Sequence, residues 1–194
     1  MTILILGLVL FLGLHSIRIF AEPLRARMVA RLGEQAWKGL YSLVSLAGFA
    51  LIIWGFGLAR QDPVMLWFPP AGMRHLAALL TLIAFVLVTA AYVPRNSIRA
   101  RLHHPMLLGV KVWALAHLLA NGKLADEVLF GSFLVWAILC FRAARQRDRA
   151  NGTIYPAGTM GGTLSTVVIG MVLWAVFAFW LHGVLIGVQP LRIS

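Results

Sequence analysis

Apolar residues fill six stretches of the chain, Ile3–Ala21, Gly39–Leu58, His75–Val93, Met106–Ala120, Leu124–Phe141 and Gly161–Val188, and polar residues gather between them. Inside a stretch there is no polar face: Leu40–Gly57 offers only serines and a tyrosine. A helix on the surface of a soluble protein carries a polar stripe at helical spacing, and one that is apolar all round is buried or in lipid. A helix rises about 1.5 Å per residue, and a hydrocarbon core is about 30 Å thick. The first three stretches and the last can cross it alone. Met106–Ala120, about 22 Å of helix, and Leu124–Phe141 are short for the task. The pattern predicts an all-α integral membrane bundle of about six transmembrane helices, forming one domain over residues 1–194.

Composition agrees with the pattern: 61% of the residues are hydrophobic and the mean hydropathy is +0.88. The formal charge of +11 would suit a nucleic-acid binder, but the positions of the cations exclude one. Arg25, Arg27, Arg31 and Lys38 follow the first span, Arg95, Arg99 and Arg101 the third, and Arg142, Arg145, Arg147 and Arg149 the fifth. The alternate loops hold Arg60, Arg74, Lys123 and Arg192. This alternation is the positive-inside pattern; it places loops one, three and five in the cytoplasm and both termini outside, with anionic lipid headgroups as partners of the basic loops. The first stretch has no basic residue before Ile3 and a poor cleavage site at Phe20-Ala21-Glu22-Pro23, so it reads as a retained helix. Glu22–Lys38 reads as an amphipathic segment along the membrane, with Trp37 anchoring span two; the run FRAARQRDRA reads as a solvated cytoplasmic helix end, and Asn151–Gly162, with four glycines and Pro156, as a flexible loop.

The segment Arg101–Gly122, RLHHPMLLGVKVWALAHLLANG, is the unusual one. Proline suits the first turn of a helix, so a short helix is expected from Pro105, with His104 as a cap-like residue and Asn121-Gly122 as the stop. It carries Lys111 and His117 within hydrocarbon, where ionisable groups are costly and mark function. His104 and Lys111 share a face, His117 is turned away from it, and Ala114 leaves room beside the imidazole. On the first span Phe11, His15, Arg18 and Glu22 fall on one stripe. His15 and His117 are the two histidines of six that lie at depth; His75, His104 and His182 fall near interfaces, and the roles of His75, His103, His104 and His182 stay open between ligand, proton carrier and cap. The only acids, Glu22, Glu34, Asp62, Asp126, Glu127 and Asp148, lie near interfaces. Imidazoles without carboxylates at depth favour a b-type haem over zinc or di-iron, with Arg18 and Lys111 as candidate partners of the propionates. No C-x-x-C-H motif exists for covalent haem, and Cys140 stands alone. No H-E-x-x-H, Walker loop or nucleophile elbow is present.

The pieces LGLHSIRIFAEPLR, LHHPMLLGVKVWALAHLLANG, LFGSFLVWA and FWLHGVLIGVQPL, taken in order, resemble the NnrU family of bacterial membrane proteins, across essentially the whole chain. The resemblance implies a multi-pass protein of the bacterial inner membrane associated with denitrification and nitrogen-oxide metabolism. That family is similar to the plant 15-cis-zeta-carotene isomerases, which bind haem b and isomerise a polyene double bond. Their axial histidines match His15 in the L-H-S motif and His117 in the A-H-L motif, while an alternative cysteine ligand falls at Ala114. The resemblance thus implies a haem b protein, with a cis-trans isomerase or redox role on an apolar polyene-like molecule; the redox partner is open. A non-catalytic accessory protein of nitrogen-oxide metabolism is the alternative. The H-H-P-M-L-L-G segment also resembles the S-adenosylmethionine-binding part of isoprenylcysteine-type membrane methyltransferases. The downstream arm FRAARQRDRANGTIYP lacks their glutamates.

Overall fold

Hydrocarbon offers a backbone no partner but itself, so an apolar segment that enters it becomes helix. In the computed structural model, which describes residues 1–191, the helices are α1 (Thr2–Phe20), α2 (Glu22–Leu32), α3 (Glu34–Ala59), α4 (Met73–Tyr92), α5 (Ser97–Leu102), α6 (Pro105–Ala120), α7 (Leu124–Ala150) and α8 (Met160–Ile186). Arg192, assigned by charge to the side of the termini, lies outside the described residues. Five helices, α1, α3, α4, α7 and α8, are long and apolar enough to cross a membrane; α6 is apolar but only 16 residues long. The chain is a multi-pass membrane protein.

Local chemistry sets the boundaries. Pro94 forces the residue before it out of the helical region, and Val93 is extended at ψ 123°, ending α4. Asn96 then caps α5 by accepting from the Arg99 amide at 2.7 Å, while its own amide donates to Ala90 O at 2.9 Å. Two details depart from the sequence reading. The amphipathic segment ends at Leu32, because Gly33 takes φ +80°, and α3 starts at Glu34, so Trp37 and Lys38 belong to the long helix. The polar segment after α7, whose glycines and proline suggest a loose loop, is docked: the Thr159 amide donates to Arg95 O at 2.7 Å, and the Ser97 amide to Thr163 Oγ1 at 2.9 Å.

Lipid cannot drive helices together by the hydrophobic effect, so small residues that let backbones approach carry the association. A Cβ on Gly7 of α1 would stand 2.6 Å from the Ile52 amide nitrogen of α3, and one on Gly48 of α3 would stand 2.9 Å from the Phe11 nitrogen of α1. Gly55 meets the Leu4 backbone in the same way. On the other side of the bundle Gly109 of α6 packs on Val88 of α4, and Gly170 of α8 on Val86 of α4. α7 touches both α1 and α6, which gives the row α3–α1–α7–α6–α4–α8. The buried cluster of Leu4, Leu8, Leu12, Ile52, Ala114, Leu129 and Phe130 lies where α7 joins the two halves.

The three basic loops meet at one end, here the arginine-rich end; the loop through Trp67 lies at the other. At that Trp67 end the Leu66 amide donates to Gly122 O at 2.8 Å and Trp67 Nε1 to Glu127 Oε1 at 2.9 Å. Gly7→Ala is expected to force α1 from α3 and to destabilise the protein by about 1–3 kcal/mol. Gly13→Ala is the control, because a Cβ there meets nothing within 4 Å. Melting midpoints of the two variants in one detergent check this; equal midpoints would refute the close-approach account.

Candidate functional site

His15 and His117 stand on different helices and are held alike. His15 Nδ1–H donates to Phe11 O at 2.7 Å, and His117 Nδ1–H donates to Trp113 O at 2.9 Å, each reaching the carbonyl one turn back. A carbonyl can only accept, so Nδ1 carries a proton, and in the neutral ring the lone pair is on Nε2. Neither Nε2 has a hydrogen-bond partner among the described residues. Each imidazole also lies against a phenyl ring: Phe11 on His15 at 4.2 Å and Phe130 on His117 at 4.4 Å between centroids, both at 28°. This is the state in which a histidine ligates a metal, with the other ring nitrogen fixed by a backbone carbonyl.

The two imidazoles do not meet. α1 and α6 lie on either side of α7; His15 approaches Trp136 and His117 approaches Phe130. Those two α7 residues are about 9 Å apart along the axis. Between them Phe133 packs on Phe11 at 6.0 Å and on Trp113 at 5.6 Å. Ala114 is fully buried in the joint between the helices, so the room expected beside His117 is filled by its aromatic neighbours.

His15 opens instead on a cleft of about 520 Å³ between α1, α2 and α3, lined also by Arg18, Arg25, Trp37, Lys38 and Tyr41. Arg25 is held by Glu22 at 2.7 Å and Lys38 by Glu34 at 2.6 Å. The Arg25 hydrogen bond keeps the Glu22 carboxyl below its ordinary range. Glu22 therefore leaves the stripe predicted with His15 and Arg18, because the chain breaks at Ala21 and α2 turns away. Arg18 has no carboxylate partner among the described residues. Beside His15 the indole N–H of Trp136 is buried with no acceptor, as is Ser45 Oγ on α3. An unpaired buried donor costs roughly 1–3 kcal/mol.

The contact that Lys111 makes is with a ring of α7. Its Nζ sits 3.9 Å from the centroid of the Phe141 ring, a cation–π contact. Among the described residues no three of His, Cys, Asp and Glu gather where they could hold a metal ion. A cofactor that brings its own ring nitrogens needs only imidazoles.

Compared with protein families, the chain matches the model described as NnrU protein over residues 3–190. It belongs to the NnrU family. No curated protein and no solved structure matches it.

The arginine-rich end of this NnrU chain holds a polar cluster that the sequence reading treats as a solvated helix end. Asp148, with its side chain only 14% exposed, accepts from His104 Nε2–H at 2.7 Å and from the Tyr155 hydroxyl at 3.0 Å. Arg145 donates to His103 Nδ1 and lies 3.7 Å from Asp148. His103 has φ +68°, a value a β-carbon disfavours, and its ring packs on Tyr155 at 4.2 Å. Burial, reinforced by the bond to Asp148, holds the Tyr155 phenol above its ordinary range. His104 is at the N-cap of α6 as expected, but its side chain serves Asp148 and not the helix. The one mark it leaves in the sequence is that Asp148 is the single acid in FRAARQRDRA, which does not say what Asp148 meets. His75 is exposed at the start of α4.

Asp148→Ala leaves the His104 N–H and the Tyr155 hydroxyl without their acceptor. Trypsin cleavage after Arg147 and Arg149 is expected to accelerate several-fold, with Tyr155→Phe between this variant and wild type. Cleavage at the wild-type rate in Asp148→Ala would show that the cluster does not hold the loop.

Proposed function

We propose that this NnrU-family chain is a membrane protein that binds haem b, with the Nε2 atoms of His15 and His117 as the iron ligands. The observation that carries the reading is the shared tautomer: two imidazoles at depth, each with Nδ1 spent on its own helix and Nε2 left as a lone pair. The surroundings support it. Rings flank both imidazoles, the buried Trp136 N–H lacks an acceptor beside His15, and Arg18 in the same cleft is a cation without a carboxylate. Arg18 is the candidate partner for a propionate. Lys111 is the second candidate and would have to leave the face of Phe141 to serve. For one iron to take both imidazoles, the Phe133 ring between Phe11 and Trp113 must turn aside.

When bound, haem supplies a redox-active Lewis-acidic iron. The chain's part is to keep both imidazoles neutral, to exclude water with the Phe11, Phe130 and Phe133 rings, and to bring a cation to the acid groups. The similarity to the plant isomerases makes cis-trans isomerisation of a long apolar polyene the reaction to assay first. Full haem loading without any isomerisation would leave the accessory role in nitrogen-oxide metabolism.

A second reading, methyl transfer from S-adenosylmethionine, is favoured by one observation. The arm after α7 has no glutamate, yet the fold delivers the Asp148 carboxylate and the Tyr155 phenol to His104. S-adenosylmethionine binding in wild type and its loss in His104→Ala would support this reading.

The deciding measurement for haem is the absorption spectrum of the purified protein, oxidised and then reduced. A sharp Soret band with resolved α and β bands is expected, and its low-spin form should be lost in His117→Ala. A featureless spectrum from cells well supplied with haem would remove the reading.

A further inference from the structure

Among the described residues two buried side-chain polar atoms have no hydrogen-bond partner, Trp136 Nε1 on α7 and Ser45 Oγ on α3. Both stand about His15. The Trp136 indole is edge-on to that imidazole, at 6.2 Å between centroids. Ser45 shares a stripe of α3 with Tyr41, whose ring meets His15 at 5.2 Å, and with Gly48, which packs on the Phe11 backbone. Ser45 also breaks a habit of the chain. Ser16, Thr89, Ser132 and Thr166 each give their hydroxyl to the carbonyl four residues back, and Ser45 does not.

The polar hydrogens at this place call for one kind of ligand group. An indole N–H can only donate, and so can a guanidinium. Arg18, one turn beyond His15 on α1, lines the same cleft and has no carboxylate partner among the described residues. Its own carbonyl accepts from Arg147 at 3.2 Å, which sets this side of His15 toward the arginine-rich end. Glu34 in the cleft is held by Lys38. What Trp136 and Arg18 lack is an acceptor that brings no hydrogen of its own, and an ionised carboxylate is acceptor-only. Lys111 belongs to another face of α7: its ring, Phe141, follows Trp136 by five residues and so lies about 140° around the helix from it.

We propose that Trp136 Nε1–H donates to a propionate carboxylate of the bound haem, on the edge of the ring that Arg18 serves. This rests on the haem reading above, keeps its His15 and His117 ligands, and adds the residue that orients the cofactor. The acid edge then lies on the His15 side of the bundle, toward the arginine-rich end, and Lys111 keeps its place on Phe141.

The test times the release of haem, and of its dimethyl ester in which both acid groups are masked, from the full-length protein to excess apomyoglobin. Loss of a hydrogen bond to a charged group should make Trp136→Phe release haem about tenfold faster than wild type. An ester carbonyl accepts only a neutral hydrogen bond of about half the strength, so for the dimethyl ester the same substitution should cost only about threefold. A packing defect would speed both releases alike. Lys111→Met should release haem at the wild-type rate. The wild-type protein should itself lose the dimethyl ester about tenfold faster than haem, a comparison that needs no variant to fold. Equal retention of the two by wild type, an unchanged haem release in Trp136→Phe, or equal acceleration of both, overturns the proposal. So does faster haem release in Lys111→Met, which would put the acid edge on α6. Each of those results is obtained on a protein that has taken up haem, so the haem reading survives them. A wild-type protein that takes up no haem removes that reading, and the role of Trp136 with it.

Discussion

Inside hydrocarbon an N–H or O–H has no water to fall back on, and the nearest acceptor is the carbonyl one turn back on its own helix. The chain applies this solution repeatedly: Ser16 to Leu12 O, Thr89 to Phe85 O, Ser132 to Val128 O and Thr166 to Gly162 O. Applied to His15 and His117 it fixes a proton position. In the neutral ring the lone pair is then on Nε2, the nitrogen not bonded to the backbone. The same need to satisfy backbone groups that makes the chain helical thus determines which imidazole nitrogen is available for chemistry.

The bundle is organised as two close pairs with a bridge. Gly7, Gly48 and Gly55 bring α1 onto α3, and Gly109 brings α6 onto α4, while α7 joins them through aromatic rings, with Phe133 between Phe11 and Trp113. A glycine seam permits little sideways movement because a backbone lies directly opposite. An aromatic joint tolerates rotation of its rings. The stiff parts of the protein are therefore the pairs, and the adaptable part is the interval between the imidazoles.

The helical membrane architecture was legible because its cause is local. Long apolar stretches, Pro94 and Pro105, and the alternation of arginines each act within a few residues. His15 and His117 were legible as well, since an imidazole at depth is conspicuous in sequence. The cluster around Asp148 was not, because it joins the start of α6, the end of α7 and the loop bearing Tyr155, and nothing in FRAARQRDRA says which face of α7 meets His104. The cleft beside His15 depends on Gly33, whose positive φ folds α2 against α3. α8 contains a π-helical turn at Phe177–Leu181, and FAFWL, apolar like its neighbours, leaves no mark of it in the sequence. The orphaned Trp136 N–H is likewise a property of packing, and tryptophan spacing does not announce it.

The shortness of α6 has a consequence for how the protein meets different membranes. Its 16 residues give about 24 Å of helix, short of a core of about 30 Å. The shortfall is made up by protein: the loop through Leu66 and Trp67 lies over the end of α6, hydrogen-bonded to Gly122 O, with Trp67 latched to Glu127. Its backbone is tied to the chain on both sides of Gly122, since the Leu124 amide also donates to Val64 O at 2.8 Å. The end of α6 is thus followed directly by hydrogen-bonded protein and not by a free chain terminus of the helix. The distance of His117 from this loop is therefore set by the fold and not by the thickness of the bilayer.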